Sequence, residues 1–459
     1  TNLKDLGYQT PGLQIDQNSG AQIWIRGIGQ RDDGARVDAP VGVYVDGLYL
    51  PRRDGQLLDL IDVQSVQVLR GPQGTLFGKN TTAGALIVTT NPPEDQLSGF
   101  AEVRVGNYDR QDLRATLSVP LIKDKLLSKV TVGSVERDGY QDNKTIGLEP
   151  ASEDRQSAAL QLRWFAGEKL LVDGFAYYGE VDEIQASTNC GFMVNTSFNG
   201  EDSLFGNRIL PGDLIPVDAF DDNDTPVLPG FVDQSRVYED ACDASFAREE
   251  NHEVFSEVPT SFELDNTLLG LTLEWDISDS LSLKSISGYG DQQKSGNSGN
   301  PDLDGTFVPI SARYRGRGSD SDREHWSQEF QLLGDAFGDR LNYTFGLFAM
   351  KEDIDDGTDT LSSAPSGYLI PESSVLFISD PEAEKQTYEL ENTTYAAFVQ
   401  GSFDLTENLE FTAGVRWTSE EREQSVDLQL LDVPAYREIA FDAIAGVSGL
   451  LPIEALGIG

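Results

Sequence analysis

AQIWIRGIGQRDDGARVDAPVGVYVDGLYLPRRDG, residues 21–55, and IDVQSVQVLRGPQGTLFGKNTTAGALIVTTNPP, residues 61–93, decide the fold. Short β-type runs at Ile23–Ile25, Val41–Val45, Val63–Leu69 and Ala85–Thr89 are each bounded by Gly or Pro. They read as strands of a small, tightly turned sheet. The glycines of RGIG, VDG, RGPQG and FGK stand where the chain must reverse, or where one backbone must approach another.

Beyond Ser98 the texture changes to longer alternating strands. Leu409, Phe411, Ala413, Val415 and Trp417 alternate with Glu410, Thr412, Gly414, Arg416 and Thr418. About ten residues with one apolar and one polar face is the length of a tilted transmembrane strand. The same pattern recurs at Leu113–Val119, Ala158–Trp164, Leu269–Trp275 and Leu341–Leu347. About eleven such strands are expected, near 99–106, 110–121, 125–137, 155–165, 169–181, 262–276, 281–293, 323–334, 340–352, 392–404 and 408–421. A soluble β-sandwich also alternates, but its connections are short and even. Here short turns such as AGEK, ISDS, FGDR and TEN alternate with connections tens of residues long, near 182–258, 295–322 and 352–391. That asymmetry is expected of a barrel with turns on one side of a membrane and loops on the other.

Composition narrows the function. The 459 residues carry a formal net charge of −43, with 77 acidic against 34 basic side chains. Such a surface is unsuited to nucleic acid, because neutralising phosphate needs basic residues. The sequence holds no apolar run long enough for a helical membrane span. GPQGTLFGKN resembles a phosphate loop only superficially: the glycine spacing is wrong and Asn80 replaces the required Ser or Thr. Neither His252 nor His325 has metal-ligand spacing, and no nucleophile–base motif is present, so no enzyme chemistry is expected.

IRGIG, PVGVYVDG, VQVLRGPQGTLFG and TTAGALIVTT, in this order, resemble the plug domain of TonB-dependent outer-membrane receptors. SQEFQLLG, ENTTYAAFVQGSFDL and LEFTAGVRWTSEER resemble strands of the same family's barrel. The resemblance implies a mostly β protein, with an N-terminal α/β plug (residues 1–96) inside a large antiparallel transmembrane β-barrel (from residue 97). It also implies about 22 barrel strands when complete, so eleven suggest the plug and the N-terminal half of a longer receptor. The implied function is active import across the bacterial outer membrane, with an iron–siderophore complex as the default ligand. A saccharide or other non-iron ligand is the alternative, as is a surface assembly or adhesion component. The implied partners are a TonB-type inner-membrane complex, the bilayer with its lipopolysaccharide, a small-molecule ligand and, for the last reading, a surface protein.

Candidate site residues follow, each with its plainer alternative. Arg31, Asp32, Arg36, Arg52 and Arg53 lie on hairpin-like plug tips, which in the family face the ligand. Pairing with each other or with wall charges explains them equally. Arg313, Arg315 and Arg317 stand out in an acidic loop and suit an anionic ligand or lipid phosphate, or plain charge balance. The connections 182–258 and 352–391 supply a net −24. They read as a solvated surface or as a home for structural calcium, the best candidates being Asp353, Asp355 and Asp359. Cys190 and Cys242 share one loop in an oxidising compartment and are expected to form a disulfide. Arg26 and Arg70 match plug arginines that, in the family, pair with barrel glutamates. In WSQEFQLL, outward Trp326, Phe330 and Leu332 would leave Glu329 pointing inward to meet one of them.

Overall fold

The computed structural model describes residues 7, 10–16, 22–30, 37–52, 62–144, 146–187, 252–254, 261–296, 313–314, 319–362 and 382–431. The elements whose bounds fall among these residues are all strands, and Gly7 of the plug is helical. No helix among them is long and apolar enough to cross a membrane.

The first seven strands build the plug. β1 (Leu13–Asp16), β2 (Gln22–Ile25) and β3 (Ile28–Gly29) form a three-stranded sheet. β4 (Val41–Val45), β5 (Leu48–Leu50), β6 (Val63–Arg70) and β7 (Gly84–Thr90) form a second, in the order β5-β4-β7-β6. β4 and β7 run parallel and the other pairs antiparallel. The β4–β5 hairpin turns on Asp46 and Gly47, both at positive φ (49° and 85°), the geometry that keeps the strands' twist across a two-residue loop. Gly84 cannot be replaced without strain: its φ is 153° and a Cβ there would lie 2.1 Å from the Leu69 carbonyl oxygen. β4 is buried on both faces, as a central strand covered on each side must be. Its Val41, Val43 and Val45 pack with Leu86, Val88, Ile23 and Ile25.

The wall is one antiparallel sheet. Its strands are β8 (Ser98–Val105), β9 (Gln111–Ile122), β10 (Leu126–Arg137), β12 (Glu153–Phe165), β13 (Leu170–Ile184), β15 (Ser261–Ser278), β16 (Leu281–Ser295), β18 (Ser319–Ala336), β19 (Leu341–Ser362), β20 (Glu382–Thr406) and β21 (Leu409–Leu431). They pair in sequence order, leaving the eleven-strand path that alternation predicts. Two-residue strands β11 (Asp142–Asn143) and β14 (Glu253–Val254) pair with each other, and β17 (Arg313–Tyr314) pairs with β19.

Burial alternates along β12, with Leu160, Leu162 and Trp164 exposed on the outer face and Ser157, Ala159 and Gln161 turned inward. Trp326 and Phe330 face out as expected. The third expected loop, 352–391, is shorter than read from sequence. β19 runs on to Ser362 and β20 begins at Glu382, so Glu352 to Asp356 and Glu384 to Glu391 are strand residues. Where both faces of a strand are polar, the alternation that identifies it disappears.

Candidate functional site

Plug and wall meet along a polar seam. Successive registers align Gly290, His325, Glu352, Asn392 and Arg422 in one inward row across β16, β18, β19, β20 and β21. Just beyond β5, the plug brings Arg52 to this row. Its Nε donates to Glu352 Oε1 at 2.6 Å and its Nη2 to Oε2 at 2.7 Å. Arg52 Nη1 also lies 3.3 Å from Asp38 of the plug, and Asp38 meets Arg422 Nη2 at 2.6 Å. Arg422 contacts Glu420 on its own strand at 3.2 Å, and Glu420 takes Lys79 of the plug at 3.1 Å. Six charges therefore alternate along one chain: Lys79, Glu420, Arg422, Asp38, Arg52, Glu352. The chain crosses between plug and wall three times and balances three positive groups with three negative ones.

Arg52 and Glu352 are buried, which is tolerable only because they are paired, while the other four charges are partly exposed. Burial works against the charge of Arg52, but the Glu352 carboxylate more than offsets it and holds the guanidinium's pKa above its ordinary value. Burial also raises the phenol pKa of neighbouring Tyr44 and Tyr49, keeping both neutral. Their hydroxyls are engaged: Tyr44 donates to the Phe77 carbonyl at 2.7 Å, and Tyr49 accepts from Asn80 Nδ2 at 2.8 Å.

Shape completes the seam. Gly270 of β15 and Gly288 of β16 are register partners, and Leu48 of the plug packs into the recess they leave. A Cβ on Gly270 would stand 2.4 Å from Leu48 Cδ1. Leu48, Leu268, Ile286 and Tyr177 share one buried cluster; Tyr44, Tyr49 and Met350 form another. Lys129 of β10 reaches Asp62 at 2.7 Å and bonds the Asn91 carbonyl, clasping the plug near the point where its chain leaves for the wall.

The residues expected to act fall out differently. Arg52 is turned into the wall and saturated by Glu352 and Asp38 rather than presented at a tip. A short turn gives no local sign of a partner 300 residues away. Glu329 does point inward, but it accepts a hydrogen bond from Gln331 at 2.6 Å and feels the charges of Arg416 and Lys284. Arg26 and Arg70 are exposed and are not brought to it. Asp353 and Asp355 lie exposed on β19, with Asp353 paired to Lys351 at 3.1 Å. Alternate strand residues sit about 7 Å apart and project in parallel, so they cannot converge on one ion as a turn would. Asp359 is in the same strand, and among the described residues no group of three His, Cys, Asp or Glu could hold a metal. Arg313 is in β17; Arg31, Asp32, Arg36, Arg53, Arg315, Arg317, Cys190 and Cys242 lie outside the described residues. One sequence signal for the seam existed: glycine inside a strand marks close backbone approach, and both Gly270 and Gly288 fall on the inward-facing set of their strands.

Residues 1–85 match the family model of the TonB-dependent receptor plug domain, and residues 217–429 that of the TonB-dependent receptor-like β-barrel. The pesticin receptor of Yersinia enterocolitica is 30% identical over 212 residues, which are 45% of this chain and 29% of that protein. The ferrioxamine B receptor of Salmonella typhimurium is 23% identical over 221 residues, 44% of this chain and 30% of that one. The matched stretch thus spans under a third of either receptor's length. Among solved structures, the ferric yersiniabactin uptake receptor of Yersinia pestis superposes with a TM-score of 0.64 at 17% identity, covering 93% of this chain and 58% of that one.

Proposed function

The chain belongs to the family of TonB-dependent outer-membrane receptors, and on that premise we propose that it serves active import of an iron–siderophore complex. Two relatives of this chain are, by name, receptors for ferrioxamine B and for ferric yersiniabactin, which supports iron as the cargo. The short-turn end of the wall would face the periplasm and the long connections the medium.

The observation that carries the reading is the six-charge seam. The plug is fastened by four ion pairs as well as by apolar contacts that include the leucine recess, and ion pairs can be broken and remade without unfolding the wall. Work delivered from outside the outer membrane, by a TonB-type complex, would release it. The plug excludes leakage until then, and binding and release of cargo need no bond chemistry in the protein.

Uptake of radio-iron as ferrioxamine B and as ferric yersiniabactin, in cells lacking their own receptors, tests this. Accumulation should require both this receptor and a functional TonB. Uptake that persists without TonB, or no uptake of any ferric chelate from a panel, would defeat the proposal.

A further inference from the structure

At the long-connection end of the first hairpins, residues 138–152 between β10 and β12 form a compact excursion held from several sides. Asp138 N–H donates to the Tyr108 carbonyl and Asp142 N–H to the His252 carbonyl, each at 2.9 Å. Gln141 trades two bonds with the backbone of Ser187, at 3.0 and 2.8 Å. Gly139 is pressed so close that a Cβ would lie 1.8 Å from the Glu149 carbonyl oxygen. This is a rigid support, the kind of scaffold on which loops present binding groups.

What it presents is a run of three rings from three distant segments. Tyr108 and Tyr140 lie 6.2 Å apart between centroids, and Tyr140 and His252 6.1 Å apart. Tyr108 is 48% exposed and Tyr140 37%. Tyr108, Asp109 and His252 all hold left-handed conformations, with φ of 59°, 49° and 59°. Tyr108 and Asp109 are the turn residues of the β8–β9 hairpin, where this geometry reverses the chain and fixes the position of the Tyr108 ring. None of these residues touches the plug seam.

The surrounding charges select the ligand. Arg137 lies 5.3 Å over the Tyr140 ring, with its Nη2 engaged by Glu153 and the Ala151 carbonyl and its buried Nε left without a hydrogen-bond partner. Asp109 and Asp138 are exposed beside the rings, where they repel anions and accept hydrogen bonds from hydroxyls. Aromatic faces attract weakly polarised C–H groups, and tyrosine adds a hydroxyl at its tip. We propose that Tyr108, Tyr140 and His252 form a rim site that binds the hexose rings of a neutral saccharide. The site is separate from the import reading, and either can fail alone.

The test uses the full-length receptor in lauryldimethylamine oxide, a detergent without sugar. Saturation-transfer difference NMR with maltohexaose and cellohexaose should show transfer into the sugar C–H protons. Native mass spectrometry with a digalactosyl lipid, against phosphatidylglycerol, asks whether the same chemistry is taken from a lipid instead. Signal in the first assigns a free oligosaccharide and retention in the second a glycolipid; either supports the site. Tyr108→Ala should weaken binding about tenfold, equivalent to the loss of one stacking ring. Tyr108→Leu, which keeps apolar bulk for folding, should weaken it too, while Tyr395→Ala on the outer wall should not. No transfer and no selective lipid retention in the wild type, or equal binding by Tyr108→Leu in a natively folded barrel, would overturn the proposal.

Discussion

Arg52 and Glu352, 300 residues apart in sequence, meet through two parallel bonds of 2.6 and 2.7 Å inside the wall. The pair is 9% and 2% exposed by side chain, so neither partner can fall back on water if the other is lost. Glu352→Ala should therefore cost about 3–5 kcal/mol, the range for stranding one member of a buried pair. Limited proteolysis of the plug in the detergent-solubilised receptor should show faster cleavage, with the wall still resistant. Cleavage at the wild-type rate would mean that the pair does not hold the plug.

The leucine recess makes a separable prediction. Gly270→Ala places a methyl group where Leu48 now sits, and overpacking of this kind costs about 1–3 kcal/mol. Adding Leu48→Ala should recover part of that loss, because the smaller side chain vacates the space. A double-mutant cycle by denaturant unfolding measures the coupling. Strict additivity would show that the two positions do not touch.

Asp46 predicts a pH effect. Burial raises its pKa above the usual aspartate value, partly opposed by the hydrogen bonds from the backbone N–H and hydroxyl of Thr90 and by the charge of Lys129. A raised folded-state pKa means stability that is fully present below the unfolded value, about 3.9, and lost as pH rises through the folded one. At neutral pH the ionised Asp46 thus carries a net cost. Asp46→Asn, which tolerates the left-handed φ, should stabilise the plug at pH 7, with the gain fading in acid. A constant gain at every pH would place its origin elsewhere.

The outer face can be probed by lysine. Leu271 and Phe411 are 43% and 60% exposed on the outer side, and a lysine at the bilayer midplane costs about 2–4 kcal/mol. Lysine at Thr272 or Thr412, on the opposite face of the same strands, should be far milder. Heat-modifiable mobility in detergent gels reads the folded fraction. Equal losses at both pairs of sites would reverse the assigned faces.

Much of the architecture was legible in the residues themselves. Period-two alternation located all eleven wall strands and turned Glu329 inward, because each such inference needs only neighbours along one chain. The ends of β19 and β20 were missed where Glu and Asp occupy both faces, so that strand and loop look alike. The seam was the least legible part. Arg52, Asp38 and Lys79 carry no local mark of their partners, since the register of plug against wall is set by contacts hundreds of residues apart. Arg26 and Arg70 sit in the more distinctive motifs, yet they end exposed, because a motif identifies the fold without fixing which of its arginines faces the wall.

The Gly270–Gly288 recess also bears on the order of assembly. Both glycines belong to a single hairpin, β15 and β16, closed by the tight turn at Asp279 and Ser280. The recess therefore exists as soon as that hairpin pairs, a local event that does not wait for the wall to be finished. Glu352, Glu420 and Arg422 come later in the chain, on β19 and β21. A plug made first would then meet the Lys129 clasp on β10 and next the recess, before the six-charge seam is complete, so the nascent wall would close around a plug already in place.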